Sequence, residues 1–242
     1  LPVEVVEKNA LKFAQGLSKE GHQLAREAIM TTDTKYKECD LETTIGGKTV
    51  RFGTMAKGSG MIHINMGTML GFITTDCSIS AELLQEALQE SANATYNCVS
   101  VDGDTSTNDT LLLLANGLAE NPKMHSKDQD YYDYLNALNC MNRQMAKKIA
   151  ADGEGCEHLI ECKVVGAKDV QTARALAKSV ISSSLVKAAF FGKDANWGRI
   201  LCALGYSGQF FTPEKTSVSF SNSTGTIKVF DHGVPLNFDE DR

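Results

Sequence analysis

The segment DLETTI-GG-KTVRFGTMA, residues 40–56, restricts the fold more than any other part of the chain. Two runs rich in β-branched residues flank Gly46-Gly47, and such a glycine pair between strand-like runs is a hairpin signal. Lys57 then leaves the end of a strand. The hairpin excludes an all-helical chain, and the segments around it exclude an all-β one. Residues 4–29 carry apolar positions at helical spacing, interrupted near Gly21. SISAELLQEALQESANATYN places an N-capping serine and Glu82 before leucines at 83, 84 and 88, so a helix is expected over about 80–95. Residues 128–150 gather Tyr131, Tyr134, Leu135, Leu138, Met141 and Met145 near one helical face.

The remaining segments alternate in the same way. MLGFIT is an apolar run of strand length. CVSVDGDTSTNDTLLLLANG reads as strand, polar turn and strand. HLIECKVVGA is expected as a strand, DVQTARALAKSVISSSLVKAAF as a helix, and DANWGRILCALGYSG as a second helix capped by Asp194 or Asn196. TSVSFSNSTGTIKVF closes the chain as a hairpin. The expected fold class is α/β: a layered sandwich of mixed sheets and helices, with a smaller C-terminal α/β domain. The seam is expected near 155, giving a core region at 1–155 and a second domain at 156–242.

Composition narrows the function classes. With 42% hydrophobic and 22% charged residues and no apolar run near the roughly 20 residues that span a bilayer, a soluble protein without a membrane partner is expected. The net charge of −6 and scattered lysines supply no basic stripe for a phosphate backbone, so nucleic acid is not an expected partner. The seven cysteines are widely spaced and contain no CxxC, which fits free thiols in a reducing, cytoplasmic setting. LPVEVVEKNA shows neither a basic nor an apolar leader region, and it opens without Met.

The stretch KGSGMIHINMGTMLGFITTD, residues 57–76, carries the chemistry. Gly58, Gly60 and Gly67 crowd the mouth of an apolar strand, where glycine allows a tight bend or a close approach. A Walker A loop does not fit, because that motif needs Gly-Lys followed by Ser or Thr at the opening of a helix, and here the lysine precedes the glycines and a strand follows. Two readings remain. In one, the glycines serve turns and Thr68 merely opens the strand. In the other, Thr68 attacks the carbonyl of Gly67 and is released as a new N-terminus. A threonine with a free α-amine combines nucleophile and base. The amine has a reference pKa of about 7.7–8.0, so a useful fraction is unprotonated near neutrality. A glycine before the nucleophile lowers the steric cost of the conformation that self-attack requires. Lys57 is better suited to binding an anionic group than to acting as a base.

The segments AIMTTDT, MAKGSGMIHINMGTMLGFITTD, DGDTSTNDTLLLLANG, DGEG, SSLVKAAFFGKDANWGRI and VFDHGVPLNFDE, in that order across nearly the whole chain, resemble the ornithine acetyltransferase family, also called glutamate N-acetyltransferase, of arginine biosynthesis. The resemblance implies an enzyme that cuts itself in two and moves an acetyl group from N-acetylornithine to glutamate, with acetyl-CoA as a further donor in some members and no other cofactor. It implies that Thr68 is the nucleophile, that Gly67 precedes the cleaved bond, and that Thr31, Lys57 and Glu154 bind substrate. It also implies two copies of each cleaved chain in one assembly, a heterotetramer. Lys57 would pair with a carboxylate common to both substrates and Glu154 with the cationic amine of ornithine. Gly67 stands where the family commonly has Ala, and Ile64 where it has Pro. The family's Thr-Gly segment for the oxyanion hole and its C-terminal segment are expected outside these residues. A self-processed aminopeptidase or amidase would use the same nucleophile and pass the acyl group to water; an inactive fragment would do neither.

Other candidates have simpler readings. STND at 106–109 suits an Asx or Ser/Thr turn whose side chains satisfy the loop backbone. Cys156 and Cys162 of CEHLIEC would stand about 20 Å apart on a strand at about 3.3 Å per residue, too far for one zinc ion. His63 reads as a loop histidine, Cys77 has no evident histidine partner, and Trp197 reads as a packing anchor with Arg199 satisfying nearby carbonyls or a carboxylate.

Overall fold

The computed structural model describes residues 2–63 and 69–239. The central feature is a four-stranded mixed sheet in the order β1-β2-β4-β6, formed by β1 (Lys37–Ile45), β2 (Lys48–Lys57), β4 (Leu70–Thr75) and β6 (Thr110–Ala115). β1 and β2 are the expected hairpin, closed by the pair Ile45 and Lys48. Gly46 and Gly47 have φ of 54° and 75°, the left-handed values that a two-residue turn between twisted strands demands. β4 runs antiparallel to β2, and β6 runs parallel to β4. A parallel neighbour needs a crossover, and α3 (Ala81–Ala94) lies within that connection. The Ser80 hydroxyl accepts from the Leu83 N–H and caps α3 as its sequence position implies. The two-residue β3 (Ile62–His63) pairs with β5 (Ser100–Thr105) as a separate ribbon beside the sheet.

The long helix α4 (Gln129–Ala151) is capped by Asp128 and covers one face of the sheet together with α3. Ile45, Val50, Phe52 and Ile73 from the strands meet Leu83, Tyr131, Tyr134, Leu138 and Met141 from the helices in one buried cluster. A second cluster continues it toward the end of α4, where Ala56, Ile62, Met69, Tyr96, Val99, Met145 and Ile149 pack. Strand alternation is plain in β6, where Leu111 and Leu113 point to the core and Leu112 and Leu114 do not.

The N-terminal residues form α1 (Val3–Gln15) and α2 (His22–Ala28), two helices separated around Gly21, and neither buries a residue. The C-terminal residues supply α5 (Val170–Ser182), α6 (Ser184–Phe191) and α7 (Trp197–Gly205), followed by a small antiparallel sheet of β7 (Val218–Asn222), β8 (Gly225–Asp231) and β9 (Val234–Pro235). These elements have their own apolar clusters, with Trp197 stacked on Phe230 at 5.1 Å between ring centroids. Asn196, and not Asp194, caps α7 by accepting from the Arg199 N–H. The Arg199 guanidinium donates to the Leu185 carbonyl at 2.9 Å.

Two expected elements differ. Residues 158–167 are not a strand, because an extended segment becomes one only when a neighbouring strand completes its hydrogen-bond ladder, and none does so among the described residues. The helix expected across 169–190 breaks at Ser183, which takes extended dihedrals (φ −69°, ψ 117°) and caps α6 through Val186. No helix among the described residues is long and apolar enough to cross a membrane.

Candidate active site

Three distant segments converge at the end of β2. Lys57, its last residue, is buried, and its ammonium donates to the Thr31 hydroxyl at 3.2 Å. The next residues, Gly58–Gly60, turn beneath the C-terminal end of α4. The Glu154 N–H donates to the Ser59 carbonyl at 2.9 Å, and the Ser59 hydroxyl meets that of Thr32 at 2.7 Å. The Glu154 carboxylate lies over Gly60 so closely that a Cβ there would sit 2.5 Å from its Oε1. This is the reason for one of the glycines: any side chain at position 60 would displace the carboxylate. Thr31, Lys57 and Glu154, more than 20 residues apart in sequence at each step, therefore border one loop.

A buried ionic core holds that loop from behind. The Lys37 ammonium lies 2.6 Å from Asp33 Oδ1 and 2.5 Å from Asp152 Oδ2, and all three side chains are at most 2% exposed. Asp33 also accepts from the N–H groups of Gly58 at 2.7 Å and Thr31 at 3.2 Å. Asp152 accepts from the N–H groups of Thr34 and Lys35 and from the Thr34 hydroxyl. Burial pushes both carboxyls up, but these donors outweigh it: Asp33 is lowered, and Asp152 is held at about 2. Lys37 thus ties the 31–35 turn, the Gly58 loop and the end of α4 to one point.

Thr68 and Gly67 lie outside the described residues, and so does Ile64. The chain on either side of them is fixed. Before them, Met61 adopts φ 55°, an uncommon value for a residue with a side chain. The Asp102 carboxylate accepts from the Met61 and Ile62 N–H groups and holds this turn. His63 is on β3 and not in a loop, with Nδ1 2.9 Å from the Ser100 hydroxyl. Burial, aided by the charges of Lys178 and Lys187, lowers its pKa below the ordinary histidine value. After them, the Met69 N–H donates to Asp109 Oδ1 at 2.5 Å, and the Met69 carbonyl accepts from the Thr110 N–H at 2.9 Å.

The STND segment is a turn at its start, where the Ser106 hydroxyl accepts from the Asn108 N–H. Its last residue does something that local turn chemistry does not predict: Asp109 reaches across to the residue that follows Thr68. Asp33, Lys37, Asp152 and Asp109 were all missed as site residues. Only TTDT, beside Thr31, and DGEG, around Glu154, carried a local signal for two of them.

Glu154 also borders a groove of about 390 Å³ between α6 and the 154–160 segment. Lys187, His158, Phe190 and Leu159 contribute both charge and apolar surface to it. Cys77 is buried, and its thiol is pushed up to about 12 mainly by that burial, which makes it a poor nucleophile at neutral pH. Cys162 packs in the apolar cluster of the C-terminal helices, while Cys156 is exposed and donates to the His158 carbonyl.

Thr31, Lys57 and Glu154 thus border one loop, and of the three Glu154 also lines the groove. The scaffold that carries them makes the chain a mixed α/β protein. The sequence profile of the ArgJ family matches residues 1–242, and the chain belongs to that family. It is 49% identical over 241 residues to the arginine biosynthesis bifunctional protein ArgJ 1 of Clostridium acetobutylicum, covering 100% of this chain and 59% of that protein. A second relative, the bifunctional protein ArgJ of Thermotoga neapolitana, is 46% identical over 241 residues, 60% of its length. The chain thus spans about six-tenths of the relatives it matches. The crystal structure of the arginine biosynthesis bifunctional protein ArgJ from Bacillus halodurans superposes with a TM-score of 0.64 at 42% identity, over 69% of this chain and 76% of that one.

Proposed function

We propose that this chain carries the acyl-transfer centre of a self-processing glutamate N-acetyltransferase, with Thr68 as the nucleophile. The supporting observation is that Thr31, Lys57 and Glu154, which the family resemblance assigns to substrate, meet around the loop leading into Thr68. The names of the relatives, arginine biosynthesis bifunctional proteins, agree with a donor and acceptor of that pathway.

Thr68 Oγ attacks the Gly67 carbonyl carbon, the peptide C–N bond breaks, and the departing nitrogen takes the hydroxyl proton. Water then hydrolyses the resulting ester, leaving a Gly67 carboxylate and a free Thr68 α-amine. In transfer, that amine takes the Thr68 hydroxyl proton as Oγ attacks the acetyl carbonyl of N-acetylornithine. The amide C–N bond breaks, and ornithine leaves with the proton. The amine of glutamate then attacks the acetyl ester, restores the hydroxyl and departs as N-acetylglutamate. Lys57 neutralises the α-carboxylate shared by donor and acceptor, and Glu154 attracts the side-chain ammonium of ornithine. Acetyl-CoA is a further acetyl donor in this scheme, and the assembly is a heterotetramer of two cleaved pairs acting in the cytoplasm.

Denaturing mass spectrometry of the purified protein and its Thr68→Ala variant tests the first half. The wild type yields pieces 1–67 and 68–242 while the variant stays whole at 26.2 kDa. Incubating the cleaved protein with N-acetylornithine, with and without glutamate, tests the second. Ornithine release that depends on glutamate supports transfer; equal release into water alone overturns it in favour of an amidase.

A further inference from the structure

The proposed donor and acceptor both carry an α-carboxylate, which one cation can hold in turn. Their side chains end in opposite charges, an ammonium in ornithine and a carboxylate in glutamate. Glu154 attracts the first and repels the second. A site that takes the two by turns therefore needs a cation where their side chains lie.

The groove of about 390 Å³ that Glu154 lines supplies one. One of its walls is α6, and among the described residues that line it Lys187 is the sole lysine or arginine. The Lys187 ammonium donates to the carbonyl of Val101, another groove residue, so the charge is held at the lining rather than extended into solvent. That bond uses one of three ammonium hydrogens. The side chain is half-buried, yet no carboxylate forms an ion pair with it among the described residues. Burial lowers its pKa, outweighing the charges of Asp102 and Cys156, which act the other way. A half-buried ammonium with hydrogens to spare and no ion-pair partner is completed by an anion. The opposite wall, residues 154–160, carries the carboxylates of Glu154 and Glu157. Leu159 and Phe190 give apolar surface for the methylene groups that both side chains place before their charged ends.

We infer that Lys187 determines acceptor specificity: its ammonium pairs with the side-chain carboxylate of glutamate, while Glu154 on the opposite wall of the same groove pairs with the side-chain ammonium of ornithine. This rests on the proposed acetyl transfer between the two. The groove thereby receives acidic and basic side chains by turns, each at its own wall. Glutamine, the neutral isostere of glutamate, lacks the charge-assisted bond and leaves the Lys187 ammonium without its anion, so it is the poorer acceptor.

The test uses the cleaved protein as wild type, Lys187→Met and Lys187→Arg, with N-acetylornithine as donor and either glutamate or glutamine as acceptor. The readout is the ratio of kcat/KM for the two acceptors, because a change that only loosens the fold lowers both alike. Wild type is expected to favour glutamate by about tenfold or more, Lys187→Met to bring the ratio near one, and Lys187→Arg to restore most of it. A second measurement needs no variant: an amine-acylating reagent is applied to wild type, and modification of Lys187 is followed by mass spectrometry. Glutamate is expected to slow that modification severalfold and glutamine to leave it unchanged. A wild-type ratio retained in Lys187→Met, or Lys187 labelled equally fast with either amino acid present, overturns this inference alone. Wild type that releases ornithine into water and forms no N-acetylglutamate overturns the proposed transfer and this inference with it.

Discussion

Replacing Lys37 with methionine removes the cation between two buried carboxylates and keeps most of the side-chain volume. Asp33 and Asp152 lie 2.6 and 2.5 Å from the ammonium, at 0% and 2% exposure. Removing one partner of a buried ion pair costs about 3–5 kcal/mol, because the remaining charge is stranded. Here each carboxylate keeps two backbone N–H donors, and Asp152 also keeps the Thr34 hydroxyl. The lower end of that range, about 3 kcal/mol, is therefore the expectation. With a urea dependence of about 3 kcal/mol per molar, the unfolding midpoint falls by about 1 M. Lys147→Met removes an exposed pair with Glu161, both partners about half-exposed, and is expected to cost under about 1 kcal/mol.

The pH dependence has a defined sign. Burial raises the Asp152 carboxyl, the Lys37 and Thr34 hydrogen bonds lower it further, and the result is a folded-state value of about 2. Against an unfolded value of about 3.9, this group contributes stability that is complete above roughly pH 4 and lost as the pH falls toward 2. Without Lys37 the burial effect is less opposed, so the acid-induced loss between those values becomes shallower. Urea titrations at pH 7 and across the acid range check both effects. A Lys37→Met midpoint within 0.2 M of wild type, or an unchanged acid slope, would refute the reasoning.

Three further outcomes follow from the geometry. Glu154→Gln is expected to raise KM for N-acetylornithine roughly tenfold, as loss of a charge-assisted contact does, with kcat less affected. Gly60→Ala pushes its Cβ against the flexible end of Glu154, so it should raise the same KM while the urea midpoint stays near that of wild type; steady-state kinetics beside urea unfolding separates the two. Ser183→Ala removes the hydroxyl that accepts from the Val186 N–H at the start of α6. It should cost about 1 kcal/mol, read as a lowered thermal midpoint, whereas no change would mean that the α5–α6 break does not depend on this cap.

What could be read from the sequence was local. The Gly46-Gly47 turn, the Ser80 cap and the apolar face of α4 each follow from residues within a few positions of one another. The 158–167 segment shows the limit, since its sequence fits a strand but the ladder depends on a partner elsewhere. The 169–190 helix failed for a smaller reason: Ser183 serves a cap as readily as a helix interior, and its tertiary setting decides. The site shows the same division. Thr31, Lys57 and Glu154 were singled out by the family resemblance, and the structure brings them to one loop. The Lys37 core was not, because it joins residues 115 positions apart, and a lysine at the start of a strand ordinarily reads as exposed. Asp109 was visible only as the end of a turn, and its bond to Met69 spans 40 residues.

The central claim is that Thr68 carries the acetyl group between donor and acceptor. The most direct measurement exposes the cleaved protein to N-acetylornithine bearing an isotopically labelled acetyl group, quenches it in acid without glutamate, and maps the peptides by mass spectrometry. The account predicts one labelled acetyl group on the Thr68 peptide, discharged when glutamate is added before the quench. A Thr68 peptide that stays unlabelled while glutamate still becomes acetylated would contradict it.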